Sequence, residues 1–284
     1  MRKALRSGAN CVLLDLEDAV PAGEKATARQ AVADLLAELA EGSEGPEGSG
    51  VARRYDTEGD PAGPEVHVRI NATADGYDFD DLAAVVSPAL AALRLPKAQK
   101  PQHLADVARA LEDMEATASM PVGSIGLYPL IESAVGVDQA VAVLSASPRV
   151  VRACLGSSDL LADLGIPSDD PQATLFVRSK LVLDCRLAGV GPPIDSVHTD
   201  LADVDGLAAA ARWARGLGFV GKSLIHPRQI APTHAAFAPS SEEVARAEAA
   251  LAQAGTGGSR QGDRFVDPAV IARAHSVLRL QRNQ

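Results

Sequence analysis

The sequence predicts an α/β fold, a chain of βα units that supplies seven strands of a (β/α)8 TIM barrel and apparently lacks its first strand. Three observations predict it. Apolar, β-branched runs alternate with amphipathic stretches almost throughout, which is how βα units around a parallel sheet read. Alanine, valine and leucine dominate the 46% of apolar residues, and aromatics make up only 3%. Nearly every strand candidate also ends in a polar or charged group, and in a barrel such ends converge on one mouth.

Taken in order, the chain opens with RKALRSGAN, which reads as a helix end, and runs into the strand CVLLDLE at 11–17. Further strands are EVHVRIN (65–71), LRLPK (93–97), SIGLYPLIE (124–132), VVRACLG (150–156), IDSVHTD (194–200) and GFVGKSLIH (218–226). Helices with apolar residues at three-to-four spacing fall at 26–40, 102–116, 202–218 and 241–255. Ser241, ahead of Glu242 and Glu243, reads as the capped start of the last. A closed barrel needs eight strands. The shortage lies at the front, so either the barrel is incomplete, with two unpaired edges, or a strand is encoded upstream of Met1.

The expected organisation is a barrel domain over 1–253 and a C-terminal unit over 254–284. Residues 41–64, rich in Gly, Pro and Glu, read as a flexible insertion within the barrel. A Gly-rich stretch, 254–262, leads to an amphipathic helix that starts near Asp267-Pro268.

The formal net charge is −10 with no basic stripe, which argues against nucleic acid or an anionic membrane as the main partner. No apolar run approaches the ~18 residues needed to span a bilayer. Cys11, Cys154 and Cys185 lie in apolar segments without metal-ligand spacing, so they read as reduced core residues and the expected compartment is the cytoplasm.

Glu132 and Asp159 are the most informative pair, each a carboxylate at the end of an apolar strand run. Two carboxylates on neighbouring strand ends suit a hard cation such as Mg2+, which usually takes one or two from the protein and completes its shell with substrate and water. Taken singly, either is equally well a helix cap. Arg69 would bring a guanidinium fork to the mouth for a substrate carboxylate; the alternative is a structural ion pair with Glu17 or Asp18. Glu17 and Asp18 are candidates to orient metal-bound water in turn. Lys97 reads as an ion-pair partner of the acidic cluster before it reads as a Schiff-base amine. Lys25, Arg29 and Lys222 are basic residues near the mouth, and an ordinary solvated face is the expected role of each. His226 reads as a structural histidine that closes the last strand.

The segments LLDLEDAVPAGEKATAR, VHVRINA, LRLPKAQ, PLIESAVGV, GSSDLLADLG and GFVGKSLIHPRQI, in that order, resemble the HpcH/HpaI aldolase–citrate lyase superfamily. They are most similar to its CitE-like branch, the citrate lyase β-subunits and the malyl-CoA and citramalyl-CoA lyases. The resemblance implies a Mg2+-binding (β/α)8 barrel, usually a homotrimer, that cleaves or forms the bond between an acyl-CoA and a 2-oxo acid. It also implies that Glu132 and Asp159 are the metal ligands and that Arg69 holds the 2-oxo acid, and a CoA ester as substrate makes Lys25, Arg29 and Lys222 candidates for its phosphates, although a solvated face stays the expected role of each. RFVDPAVIARA matches the family's lid segment, in which an aspartate, here Asp267, acts as acid/base at a neighbouring subunit's site. Two sites depart from the family pattern: GSSD stands for GAED, and IES for IET. The expected activity is a lyase acting on a short 3-hydroxyacyl-CoA. The alternatives are an aldolase for free 2-oxo-4-hydroxy acids and a degenerate, non-catalytic barrel that binds CoA esters or metabolites.

Overall fold

The computed structural model describes residues 1–41, 63–167, 171–254, 260–261, 264–265 and 267–282. Seven strands form one parallel sheet: β1 (Cys11–Asp15), β2 (Glu65–Arg69), β3 (Ala92–Leu95), β4 (Gly126–Ile131), β5 (Arg152–Leu155), β6 (Gly191–Asp195) and β7 (Gly221–Lys222). They are hydrogen-bonded in sequence order, each parallel to the next. Among the described residues β1 and β7 do not pair with each other, so the sheet is one strand short of closure, as expected. A side-chain bond spans this side of the molecule, with His234 Nε2 2.8 Å from Asn10 Oδ1 just ahead of β1.

Alternation along each strand divides the core in two. One set, including Val12, Leu14, Val66, Val68, Leu93, Leu95, Leu127, Ala153 and Leu155, packs with the helices into the main hydrophobic cluster. The opposite set is smaller: Ala92, Tyr128 and Cys154, with Leu130 and Ile194 against them. This inner layer also holds the buried Arg94. Its guanidinium donates to His67 Nδ1 (3.1 Å), contacts the Cys154 sulfur and lies 4.7 Å from the centre of the Tyr128 ring. Each fully buried Leu or Ile contributes about 1.5–3 kcal/mol relative to exposure, so the helix-facing layer carries most of the stability.

The helices are α1 (Lys25–Glu41), α2 (Phe79–Val85), α3 (Pro101–Thr117), α4 (Ala134–Asp138), α5 (Ala140–Leu144), α6 (Ser157–Asp163), α7 (Leu175–Leu187), α8 (Val204–Leu217), α9 (Ile230–Phe237), α10 (Ser241–Ala254) and α11 (Pro268–Arg282). At the end of the sheet opposite the mouth, buried Glu115 on α3 accepts from Arg149 Nη1 (2.9 Å) and Nη2 (2.7 Å), and from the Gly123 and Ile125 N–H groups.

Several boundaries differ from the sequence reading. The sixth strand lies at Gly191–Asp195, upstream of the expected 194–200; Pro192 and Pro193 stand inside it, where its register against β5 is irregular. The seventh is only Gly221–Lys222, within the expected 218–226. The cap of α10 is Ser240 in place of Ser241: its Oγ accepts from Glu243 N–H while Glu243 Oε2 accepts from Ser240 N–H, a reciprocal capping box. Most of the 41–64 insertion lies outside the described residues, as does much of 254–262; within the latter, Arg260–Gln261 pairs antiparallel with Arg264–Phe265. The three cysteines are free thiols, Cys154 and Cys185 buried and Cys11 half-buried.

Candidate active site

The strand ends of β1 to β5 bring Asp15, Arg69, Lys97, Glu132 and Asp159 to one side of the sheet. Asp15 closes β1 and pairs in register with Arg69 at the end of β2. Its carboxylate accepts from Arg69 Nε (2.7 Å) and Nη2 (2.6 Å), a bidentate fork, and from the Glu17 and Ala19 N–H groups. Arg69 Nη1 is 2.9 Å from Glu17 Oε2 and 3.2 Å from Asp18 Oδ2. Burial works against both charges of the Asp15 pair, yet mutual bonding prevails: Asp15 is held below the ordinary carboxylate range and Arg69 is raised further.

Glu17 is buried, and among the described residues its Oε2 has no hydrogen-bond partner, since Arg69 Nη1 approaches it without hydrogen-bond geometry. Burial raises the Glu17 carboxyl, and Asp18 adds to this against the opposing charges of Arg69 and Lys97. Lys97 Nζ lies 3.3 Å from Glu17 Oε1, so Lys97 is the ion-pair partner that its place beside the acidic cluster predicts. Its backbone adopts a left-handed φ of 51°, and its N–H donates to Glu132 Oε1 at 2.6 Å.

Glu132 follows β4 directly and is only 4% exposed. Burial pushes its carboxyl up to about 7, and the negative charges of Asp159 and Glu17 add to the push while the Lys97 N–H and Arg69 oppose it. Gly156 makes the position possible. A Cβ at 156 would lie 2.6 Å from Glu132 Cβ and would collide with its Oε2, so a glycine must follow β5 for Glu132 to occupy this space. Asp159 sits in the first turn of α6 and is exposed. Neither carboxylate caps a helix: Ser133 caps α4 by accepting from Gly136 N–H, and α6 begins at Gly156 without a side-chain cap.

These donors fit a divalent cation. Both are hard oxygens, Glu132 directly follows β4 and Asp159 lies in the first turn of the helix that follows the adjacent strand β5, and the buried Glu132 is penalised by neighbouring negative charge that a cation would relieve. Among the described residues no group of three or more His, Cys, Asp or Glu side chains forms a metal cage, so substrate and water oxygens would complete an octahedral shell.

The other sequence candidates fall as follows. Asp267 caps α11, its Oδ1 accepting from Val270 N–H at 2.8 Å, and it takes no part in the hydrogen bonds and ion pairs of the Asp15, Arg69 and Glu132 cluster described above. His226 is structural, its Nδ1 accepting from Arg228 N–H. Lys25, Arg29 and Lys222 do not form solvated faces. Lys25 donates to the Leu16 and Glu17 carbonyls and to Asn71 Oδ1; Arg29 pairs with Asp81 and Asp78; Lys222 is buried and pairs with Asp195 at 2.6 Å. Each lies where strand ends and helix starts converge, and there the aliphatic stem is buried and the cation finds internal oxygens. The sequence reading passed over Asp15 as the main Arg69 partner, along with Gly156 and Asp81. Asp15 had a signal in its register opposite Arg69. Asp81 had none, because its contacts run to residues 10 and 52 positions away.

The HpcH/HpaI aldolase/citrate lyase family model matches residues 1–46 and 55–227. The citrate lyase subunit beta of Leuconostoc mesenteroides subsp. cremoris is 31% identical over 280 residues, covering 96% of this chain and 86% of the relative. The mitochondrial citramalyl-CoA lyase of Mus musculus is 28% identical, covering 99% and 81%. Among solved structures, CitE of Mycobacterium tuberculosis in complex with magnesium, acetoacetate and coenzyme A is similar with a TM-score of 0.75 at 29% identity, covering 99% of this chain and 93% of that one. With the family model matching most of its length, the chain belongs to the HpcH/HpaI aldolase/citrate lyase family.

Proposed function

We propose that the chain is a Mg2+-dependent carbon–carbon lyase of the CitE-like branch. It cleaves, or forms by condensation, a short 3-hydroxyacyl-CoA such as malyl-CoA or citramalyl-CoA, and the products of cleavage are an acyl-CoA and a 2-oxo acid. The observation that carries this reading is the buried Glu132 carboxylate, neighboured by the charges of Asp159, in the helix turn that follows the next strand, and of Arg69. Relatives named citramalyl-CoA lyase and L-malyl-CoA/beta-methylmalyl-CoA lyase support the substrate class, and the magnesium, acetoacetate and coenzyme A bound to the M. tuberculosis protein support the cofactor.

Glu132 and Asp159 would hold Mg2+, which when bound supplies the positive charge that polarises a 2-oxo carbonyl. Arg69 would orient the 2-oxo acid carboxylate. Its Nε and Nη2 are committed to Asp15, so Nη1 is the donor left to turn from Glu17 and Asp18 towards a substrate anion. Positive charge there also stabilises an enolate on the acyl-CoA side. Glu17 and Asp18 would orient water in the metal's outer shell. Asp267 would serve as acid/base on a lid contributed by a neighbouring subunit of a homotrimer, the unit formed by residues 254–284. With Oδ1 occupied by Val270 N–H, Oδ2 is the oxygen to carry the proton.

Among the described residues β1 and β7 each leave one edge unpaired, which favours one competing reading, a non-catalytic barrel that binds CoA esters or metabolites. Purified protein with Mg2+, tested against hydroxyacyl-CoA esters and free 2-oxo-4-hydroxy acids, separates the readings. Thioester cleavage to an acyl-CoA and a 2-oxo acid supports the lyase, and cleavage of the free acid alone supports an aldolase. Ligand binding without cleavage or condensation supports the non-catalytic barrel and contradicts the lyase.

A further inference from the structure

Lys25 is the first residue of α1, and its ammonium group has three donors. All three are taken: by Leu16 O at 2.7 Å, Glu17 O at 2.6 Å and Asn71 Oδ1 at 2.7 Å. Two of these oxygens belong to the turn after β1, and the third to the segment after β2. The amide of Asn71 cannot rotate to spoil the arrangement. Its Nδ2 donates to Asp81 Oδ2 at 2.6 Å and its backbone N–H to the same oxygen at 2.9 Å, which fixes Oδ1 towards Lys25. Asp81 is fully buried, and its other oxygen accepts from Arg29 Nε at 2.7 Å, one turn along α1 from Lys25. A closed chain of charge-assisted bonds therefore runs from α1 through α2 and back to the mouth.

The backbone that Lys25 grips carries Glu17, whose carboxylate faces both Arg69 Nη1 and Lys97 Nζ. We infer that Lys25 is a positioning residue: by clamping the Leu16 and Glu17 carbonyls to Asn71 it sets where Glu17 stands, and so holds Arg69 and Lys97 in place to receive an anionic substrate. The inference rests on the proposed reading of this mouth as a Mg2+ and 2-oxo acid site. The clamp leaves no donor for a CoA phosphate. Nor does it touch Glu132 or Asp159, so its loss acts first on the oxo acid and leaves both proposed metal ligands in place.

The test is Lys25→Met, which keeps the aliphatic stem and removes the donors, with pyruvate and Mg2+ as the calorimetric probes on the full chain. The pyruvate dissociation constant at saturating Mg2+ rises about tenfold, the scale of one lost charged hydrogen bond, while that of Mg2+ alone changes less than about twofold. Hydrogen exchange speeds up at the Glu17 and Ala19 amides, which are bonded to Asp15 in the same turn. Asn71→Ala, which removes one of the three acceptors, shows a smaller change of the same sign and replaces Lys25→Met if that variant does not fold. Unchanged pyruvate affinity with unchanged exchange overturns the inference. Equal weakening of Mg2+ and pyruvate also overturns it, because that reports general loosening. If the unsubstituted protein binds no pyruvate with Mg2+, the proposed function fails, and the exchange result alone decides whether Lys25 positions Glu17.

Discussion

Asp15 holds Arg69 by a two-pronged grip, 2.7 Å to Nε and 2.6 Å to Nη2, across the in-register ends of β1 and β2. The grip orients the guanidinium plane and leaves Nη1 as the edge that meets Glu17 and Asp18. A lysine cannot reproduce this fork.

Arg69→Lys is expected to fold and to lower kcat/KM for thioester cleavage by about two orders of magnitude, the usual scale for one lost charge-stabilising donor. Asp15→Asn keeps the shape and halves the grip, and it is expected to cost about 1.5–3 kcal/mol of stability in denaturant unfolding. Steady-state kinetics of Arg69→Lys and denaturant unfolding of Asp15→Asn check the two expectations. Wild-type kcat/KM in Arg69→Lys would remove Arg69 from the site.

Gly156→Ala tests the space around Glu132. The added methyl meets Glu132 at 2.6 Å from its Cβ, so the backbone or the carboxylate must move. Overpacking of this kind costs about 1–3 kcal/mol. Thermal unfolding is expected to shift downward and Mg2+ affinity to fall together, because the displaced group is the carboxylate itself.

The Glu115–Arg149 pair gives a pH dependence remote from the mouth. Burial alone would raise the Glu115 carboxyl, but the bonds from Arg149, Gly123 N–H and Ile125 N–H hold it below 4.5. A depressed folded-state pKa contributes stability that is complete above the unfolded value and is lost as pH falls through the folded one. Stability is therefore expected to decline below about pH 4.5. Glu115→Gln, which strands a buried guanidinium, is expected to cost about 3–5 kcal/mol at neutral pH and to flatten that part of the acid profile. Unfolding free energies measured between neutral and acid pH check both.

Much of this architecture was legible in the sequence, because a parallel sheet buried on both faces writes continuous apolar runs that end in polar groups. EVHVRIN and SIGLYPLIE marked β2 and β4 within two residues at each end, and Glu132 stood out as the first charge after its run. IDSVHTD misled because its β-branched Ile194, Val197 and Thr199 suit a strand, whereas the sheet ends at Asp195. The helix at Leu175–Leu187 was passed over because its apolar residues occur on more than one side, with Phe176, Leu183 and Leu187 exposed. Lys25 and Arg29 read as a solvated helical face because their partners, Asn71 and Asp81, are 46 and 52 residues away. Local spacing cannot report such pairs.

The central claim is that Glu132 and Asp159 hold the cation through which a 2-oxo acid binds. It is tested most directly by calorimetric titration of pyruvate into wild-type and Asp159→Ala protein, with and without Mg2+. Pyruvate is expected to bind the wild type only when Mg2+ is present, and not to bind Asp159→Ala in either case. Binding to Asp159→Ala with wild-type affinity and Mg2+ dependence would contradict it.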